Sequence, residues 1–182
     1  VELEFRQRLA DEGKLKFLGG KQEFIRLGVL DDVDAILAGH LSNTGPTGRF
    51  RHSASYNGVV NKTVRFTGKS AHAALAPQLA ISALQAAVNA INNINAMRET
   101  LPQDQHPRIH YIITKGGDSP NIIPDDVRME FGVRAATAEY MLELNAKVNA
   151  AIRAGADAVG ARVDIRDLGD DRVLLARERE GD

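Results

Sequence analysis

The chain has 182 residues, of which 43% are hydrophobic and 26% charged, a balance typical of a globular protein that can bury a core. Its formal net charge of −1 provides no field that would attract nucleic acid or an anionic membrane surface, so neither is expected as a partner. Cysteine is absent, which excludes disulfides, thiolate metal sites and a cysteine nucleophile.

The first 58 residues contain two helical patterns and one apolar run. Residues 2–12 and 21–27 are predicted helices that are followed by Gly13 and Gly28, the residue type that most often follows a helix. The run at 33–37, Val-Asp-Ala-Ile-Leu, predicts a buried strand that ends just before Gly39-His40. Residues 42–58 are rich in Ser, Asn, Thr and Gly, which predicts a loop or hinge.

Residues 59–167 carry a regular alternation of strand and helix patterns. Apolar residues alternate at 64–66, 109–113, 127–133 and 163–165, which predicts four strands with one buried face each. Apolar residues recur every three or four residues over 84–94 and 140–152. This spacing predicts two amphipathic helices, the second of which ends at Gly155. The order β-α-β-β-α-β predicts an α+β, ferredoxin-like fold with an antiparallel sheet and two helices on one face.

Three stretches carry the candidate chemistry. His40 follows the apolar run at the place where α/β folds hold ligands, and an imidazole there either binds zinc or is an ordinary loop histidine. His72 lies in Gly-Lys-Ser-Ala-His-Ala-Ala at 68–74, where small neighbours leave the ring accessible as a donor to an oxyanion. Asn121 and Arg134 offer donors that suit a carboxylate, although an Asx turn and a surface arginine are the plain alternatives. His52, His106 and His110 have no partner at metal-ligand spacing and are interpreted as structural or surface residues.

These stretches, with Gly-Gly-Asp-Ser-Pro-Asn-Ile-Ile-Pro-Asp at 116–125, resemble the middle of a di-metal amidohydrolase of the aminoacylase, carboxypeptidase G and aminobenzoyl-glutamate hydrolase family (peptidase family M twenty). The resemblance divides the chain into a remnant of an α/β catalytic domain (1–58), a lid and dimerisation domain (59–167) and a charged tail (168–182). It implies hydrolysis of amide bonds in N-acyl amino acids or aminobenzoyl-glutamate-like substrates by a cytoplasmic homodimer that is joined through an edge strand or the helix at 79–98.

The resemblance also assigns roles to the candidate residues. His40 is expected to hold one of two metals, and His72 is expected to reach the partner subunit's active site and contact the scissile carbonyl. Asn121 and Arg134 are expected to hold the free carboxylate of the substrate. The intact family enzyme is expected to use zinc, or manganese or cobalt.

The family's remaining metal ligands and its Pro-Ala-Glu-Glu base motif have no counterpart in this sequence. We therefore expect this chain alone to bind no metal, because one imidazole does not retain zinc. The Val1 start indicates a piece of a longer chain or an alternative start codon. The alternative to an enzyme piece is a non-catalytic ferredoxin-like module that dimerises or binds a small molecule.

Overall fold

The computed structural model describes residues 2–36 and 57–168. The chain divides into two compact units, Val1–Tyr56 and Asn57–Asp182. His40, the loop at 42–56 and the charged tail from 169 onward lie outside the described residues. Within the described ranges, no helix is both long enough and apolar enough to cross a membrane.

The described part of the first unit is helical. It contains α1 (Glu2–Asp11) and α2 (Gly20–Arg26), as predicted. Glu23 of α2 is buried and accepts hydrogen bonds from the backbone N–H groups of Lys16 and Phe17 at 3.3 and 3.1 Å. The neighbouring Arg26 guanidinium and these N–H groups lower the pKa of Glu23 to about 2. The carboxylate therefore fixes the connection between the two helices.

The predicted buried strand at 33–37 is wrong for the residues that the structure describes. Residues 33–36 form no strand, and Val33 and Ile36 are exposed. A strand needs a neighbour to satisfy its backbone groups, and the described part of this unit contains only helices and turns. The aspartates at 31, 32 and 34 also favour solvent over burial.

The second unit is built on a four-stranded antiparallel sheet. Its strand order, β3-β5-β1-β6, is that of the predicted ferredoxin-like fold. A separate two-stranded ribbon pairs β2 with β4. The strands are β1 (Gly58–Thr67), β2 (Ala71–His72), β3 (Arg108–Lys115), β4 (Ile122–Ile123), β5 (Asp126–Ala135) and β6 (Arg162–Asp167).

Two helices cover one face of the sheet, which confirms the predicted α+β architecture. They are α3 (Ala83–Met97) and α4 (Ala138–Asp157), capped by the side chains of Ser82 and Thr137. Alternate strand residues and the inner helix faces form the main buried core. Its fully buried members include Val64, Phe66, Val127, Val133, Ile94, Leu144, Val148 and Ile152. The opposite face of the sheet carries no helix among the described residues, and it is called the open face below.

Gly155 does not end the second helix, contrary to the sequence-based prediction. It lies inside α4 and is buried against α3, where a Cβ atom would lie 2.4 Å from the backbone nitrogen of Ala90. The glycine is therefore required by the close approach of two helix backbones. The chain leaves the helix after Asp157 and turns at Gly160, whose φ of +73° suits glycine.

Candidate functional site

The β2–β4 ribbon brings His72 and Asn121 together, although they lie far apart in the sequence. His72 pairs with Ile122, and the N–H of Ala73 donates to the carbonyl of Asn121 at 2.9 Å. Both residues are exposed. The two polar side chains that the sequence analysis singled out separately thus belong to one small structural element.

Local backbone geometry orients the imidazole of His72. The N–H of Ala74 donates to its Nδ1 at 3.2 Å, and the N–H of Ala76 donates to its carbonyl at 3.1 Å. Because Nδ1 accepts a hydrogen bond, the neutral ring carries its proton on Nε2. The exposed ring then has an N–H donor at Nε2, a type of group that can stabilise an oxyanion.

Close backbone packing explains the glycine that opens the 68–74 motif. A Cβ atom on Gly68 would lie 2.0 Å from the carbonyl oxygen of Ile81. The N–H of Gly68 donates to the carbonyl of Asp125 at 2.8 Å, and Lys69 and Ile81 exchange two backbone hydrogen bonds of 2.9 Å. These contacts attach the ribbon to the start of β5 and to the residues before α3. The backbone that carries His72 is therefore held in place by hydrogen bonds.

The amide of Asn121 is partly engaged and partly free. Ser119 Oγ donates to Asn121 Oδ1, which supports the Asx-turn interpretation of the carbonyl end. The Nδ2 group has no hydrogen-bond partner within the ranges that the structure describes. Its two donors therefore face solvent on the same ribbon as the imidazole of His72.

Arg134 lies at the other end of the sheet. It is the ninth of the ten residues of β5, exposed on the open face, and pairs with Val59 of β1. Eight strand steps separate it from Asp126, a length of about 26 Å at ~3.3 Å per residue. The ribbon is connected to the Asp126 end of the sheet, because β4 ends three residues before Asp126 and β2 begins four residues after Thr67, its partner in β1. One chain therefore presents His72 and Asn121 at one end of the sheet and Arg134 at the opposite end.

A charged cluster marks the ribbon end of the open face. Asp126 forms ion pairs with Arg65 at 2.7 Å, Arg128 at 2.9 Å and Lys115 at 3.5 Å. The Arg128 and Arg65 guanidinium groups lower the pKa of Asp126 to about 2, so the carboxylate is ionised at any physiological pH. The cluster joins β1, β3 and β5 where the ribbon begins.

The described residues do not assemble a metal centre. Within 2–36 and 57–168, no three His, Cys, Asp or Glu side chains are grouped closely enough to hold a metal ion. His40, the candidate ligand, lies outside these ranges. The described residues therefore do not fit a di-metal site.

The ribbon itself was missed by the sequence analysis. Two strands of two residues are too short to show an alternating pattern, which needs at least four residues. A signal was nevertheless present around His72, because Ala71 and Ala73 are small residues on either side of it. Such residues allow close pairing of two backbones.

A family model described as a peptidase dimerisation domain matches residues 55–159. The chain is 33% identical over 150 residues to the mouse Xaa-Arg dipeptidase, and the match covers 81% of this chain and 32% of that protein. It is 36% identical over 117 residues to one of the p-aminobenzoyl-glutamate hydrolase subunits of Escherichia coli, and that match covers 64% of this chain and 23% of the relative. The chain thus spans about a third or less of these curated relatives.

A solved structure shows the same fold. The crystal structure of a putative aminohydrolase from methicillin-resistant Staphylococcus aureus aligns with a TM-score of 0.64 at 21% sequence identity. The alignment covers 90% of this chain and 47% of that one. The alignment therefore extends beyond the four-stranded unit into the N-terminal residues.

Proposed function

Since this chain belongs to the family of metal-dependent peptidases and amidohydrolases that share the peptidase dimerisation domain, we propose that its second unit pairs two subunits of such a hydrolase. In this proposal the unit supplies His72 as oxyanion donor and Asn121 and Arg134 as ligands of the substrate's carboxylate. The intact enzyme cleaves an amide bond of an N-acyl amino acid or an aminobenzoyl-glutamate-like substrate, and it acts in the cytoplasm.

The observation that carries the proposal is the distance between the ribbon, which carries His72 and Asn121, and Arg134 at the far end of β5. A small substrate cannot span the ~26 Å of strand between the ribbon end and Arg134. We therefore infer that the two ends of one sheet serve two different active sites. In a twofold homodimer, each active site would receive the ribbon of one subunit and Arg134 of the other.

The exposed edges of the sheet favour β3 as the pairing surface. The edge strand β3 exposes Ile112 and Ile113, at 59% and 44%, and an edge strand can add a further strand through its backbone groups. The other edge, β6, alternates charged residues such as Arg162 and Asp164, which oppose edge pairing. We propose that two copies pair through β3.

Light scattering on the 182-residue chain tests this proposal. The wild-type chain is expected to have the mass of a dimer. Ile112→Lys places a charge on the pairing edge and is expected to give a monomer, whereas Asp164→Lys, an exposed change on β6, is expected to leave the dimer intact. A wild-type monomer at high protein concentration, or a dimer that survives Ile112→Lys, would contradict pairing through β3.

We also propose that this chain alone holds no pair of metal ions, and we expect no amidase activity from it. A co-catalytic site needs about five protein ligands and a carboxylate base, and His40 is the sole ligand candidate that the motifs supply. Metal analysis after chelator treatment and reloading with zinc tests the proposal. Two tightly held zinc ions per chain, with hydrolysis of an N-acyl amino acid, would disprove it.

A further inference from the structure

The alternation of hydrogen bonds across the sheet determines which backbone groups of β3 point to its outer edge. The N–H of Gly68, directly after β1, donates to the carbonyl of Asp125, so every second residue of β5 counted from there bonds to β1. The even-numbered residues of β5 therefore bond to β3, where their partners are also even-numbered. The N–H and C=O groups of Tyr111 and Ile113 consequently point away from β5, toward the outer edge.

Arg98 occupies one end of this edge. It directly follows α3, and its Nη2 donates to the carbonyl oxygen of Ile109 at 2.7 Å. That oxygen points to the same edge, because Ile109 is two residues from Tyr111. The Nε of Arg98 donates to Asn95 Oδ1 at 3.1 Å, which orients the guanidinium. A strand that approaches β3 can therefore bond to Tyr111 and Ile113, whereas Ile109 is covered by a side chain.

An irregularity in the pairing limits the other end of the edge. β3 pairs with β5 in one register up to Ile113, and this register shifts before Lys115. A bulge of this kind disrupts the regular ladder of hydrogen bonds. Regular pairing with another strand is therefore confined to a short segment, in which Tyr111 and Ile113 are the bonding residues.

We propose that two copies of this chain pair in a single register, with Ile112 of both copies at the twofold axis and with Tyr111 of each copy hydrogen-bonded to Ile113 of the other. Bonding residues face bonding residues in an antiparallel pair, so the alternatives are Tyr111 against itself and Ile113 against itself. The former brings Ile113 against the covered Ile109, and the latter brings Tyr111 against the segment beyond the irregularity. The inference deepens the proposed pairing through β3 and rests on it.

This register also covers the apolar side chains of the edge. Ile112 and the partner's Ile112 become a non-hydrogen-bonded pair, in which the Cα atoms lie about 4.5 Å apart and the side chains touch. Ile113, on the helical side of the sheet, comes to lie beside the partner's Tyr111. Both isoleucines are exposed in the single chain, and removal of their apolar surface from water stabilises the pair.

A twofold axis at Ile112 brings the ribbon end of one subunit closer to the partner's Arg134. The axis of an antiparallel pair is perpendicular to the sheet, so the two open faces lie on the same side. Asp126 and Arg134 each lie four residues from Glu130, the cross-strand partner of Ile112, about 13 Å away in opposite directions.

The axis therefore sets Asp126 level with the partner's Arg134. The two β5 strands are separated by three strand spacings of ~4.8 Å, which gives a distance of about 14 Å between the two residues. Within one chain the corresponding distance is ~26 Å. The register thus supports an active site that takes its ribbon from one subunit and its arginine from the other.

Single-cysteine variants test the register, because the chain has no cysteine of its own and each symmetric register has a different residue at its axis. Ile112→Cys places two thiols within the Cα distance of about 4.4–6.8 Å that a disulfide requires. Mild oxidation is therefore expected to cross-link most of this variant on a non-reducing gel. In Ile113→Cys and Tyr111→Cys the Cα atoms would lie about 8 Å apart, and these matched controls are expected to remain uncross-linked.

Arg98→Met tests the role assigned to the arginine, since methionine is a long side chain without a donor. Once Ile109 is uncovered, part of the dimer is expected to shift its register, so that Tyr111→Cys cross-links in the Arg98→Met chain. Arg153→Met removes an equal charge from the exposed surface of α4 and is expected to leave the cross-linking pattern unchanged. A purely structural role of Arg98 within its own subunit would not change which cysteine cross-links.

The outcomes separate the register from the pairing itself. Cross-linking of Tyr111→Cys or Ile113→Cys in place of Ile112→Cys would overturn the register and leave the pairing through β3 intact. A dimer in which none of the three variants cross-links would contradict the pairing through β3, and a monomer would contradict the proposed dimer altogether. An unchanged pattern in the Arg98→Met chain would overturn the role of Arg98.

Discussion

Lys62 is a charged residue inside the core, and its surroundings show how the sheet accommodates it. Its side chain is fully buried under α4, and its Nζ lies 3.1 Å from Oδ1 of Asp167. It also donates to Asn149 Oδ1, while Asn145 Nδ2 donates to the other Asp167 oxygen at 2.8 Å. The network ties the middle of β1 to the end of β6 and to α4. It therefore fixes the position of an edge strand.

The two partners are expected to respond differently to substitution. Asp167→Ala removes a carboxylate from beside the fully buried ammonium of Lys62 and is expected to cost about 3 kcal/mol of unfolding free energy. Lys62→Met is expected to cost about 1 kcal/mol or less, because the Asp167 side chain is 23% exposed and can be hydrated. Urea denaturation of both variants measures the difference. A Lys62→Met loss as large as that of Asp167→Ala would show that the ion pair itself stabilises the fold.

Lys62 also shows what the sequence pattern could reveal at single positions. Val60, Val64 and Phe66 line the buried face of β1, so strict alternation places Lys62 on that face as well. Because lysine usually lies at the surface, the residue type argues against this buried position although the alternation predicts it. Its partner Asp167 lies on the last strand of the sheet, and no local pattern predicts such a pair. The outward positions of His72 and Arg134, in contrast, agree with their motifs and with strand alternation.

At the scale of secondary structure elements, the contact of α3 with α4 depends on small side chains. Ala83, Ala86, Ala87 and Ala90 line the buried face of α3, and Gly155 of α4 lies against Ala90 and Ala86. Small residues permit two helix backbones to approach closely, and close packing gives many dispersion contacts. The sheet is thereby covered by a thin and tightly fitted helical layer.

Gly155→Ala tests this contact, because a tight contact and a loose one predict opposite signs for the change in unfolding free energy. In an exposed helix, replacing glycine by alanine stabilises by about 1 kcal/mol. Here the added methyl group would lie 2.4 Å from the Ala90 nitrogen, so we expect a loss of about 2 kcal/mol from overpacking. Thermal and urea unfolding provide the measurement. A more stable variant would mean that the helices separate easily and that the contact is loose.

The accuracy of the sequence-based elements follows from their length. Long elements with one buried face, such as β5 and α4, show their period over many residues and were predicted. The ribbon of β2 and β4 contains four residues in total and has no period to detect. The apolar run at 33–36 looks like a strand in isolation, but strand formation depends on a neighbour, which a local pattern does not contain. Gly155 was misplaced because a glycine that permits packing resembles one that ends a helix.

At the scale of the whole molecule, the candidate site residues lie at two opposite ends of the four-stranded sheet. His72 and Asn121 share the ribbon, and Arg134 lies at the opposite end of β5. If both ends are needed for catalysis, each active site of a homodimer combines parts of two subunits. Activity would then require assembly, because an isolated subunit cannot bring both ends to one substrate.

Mixed dimers of a full-length family member test this arrangement. His72→Ala at the equivalent position is expected to lower turnover ~10²–10³ fold by removing an oxyanion donor, and Arg134→Ala is expected mainly to raise KM, because carboxylate binding acts on ground and transition states alike. When the two impaired variants are combined in one dimer, one site receives both defects and the other receives neither. The mixed dimer should therefore recover about half of the wild-type activity.

A dimer that combines His72→Ala with Asn121→Ala is the matched control. Both side chains lie on one ribbon, so each active site still receives a damaged ribbon from one subunit, and no activity should return. Steady-state kinetics on purified mixed dimers, with a different affinity tag on each subunit, gives the comparison. Recovery in both combinations, or in neither, would show that the two ends of the sheet do not divide between two active sites. Recovery in the His72 and Arg134 combination alone requires that each active site draws its ribbon and its Arg134 from different subunits.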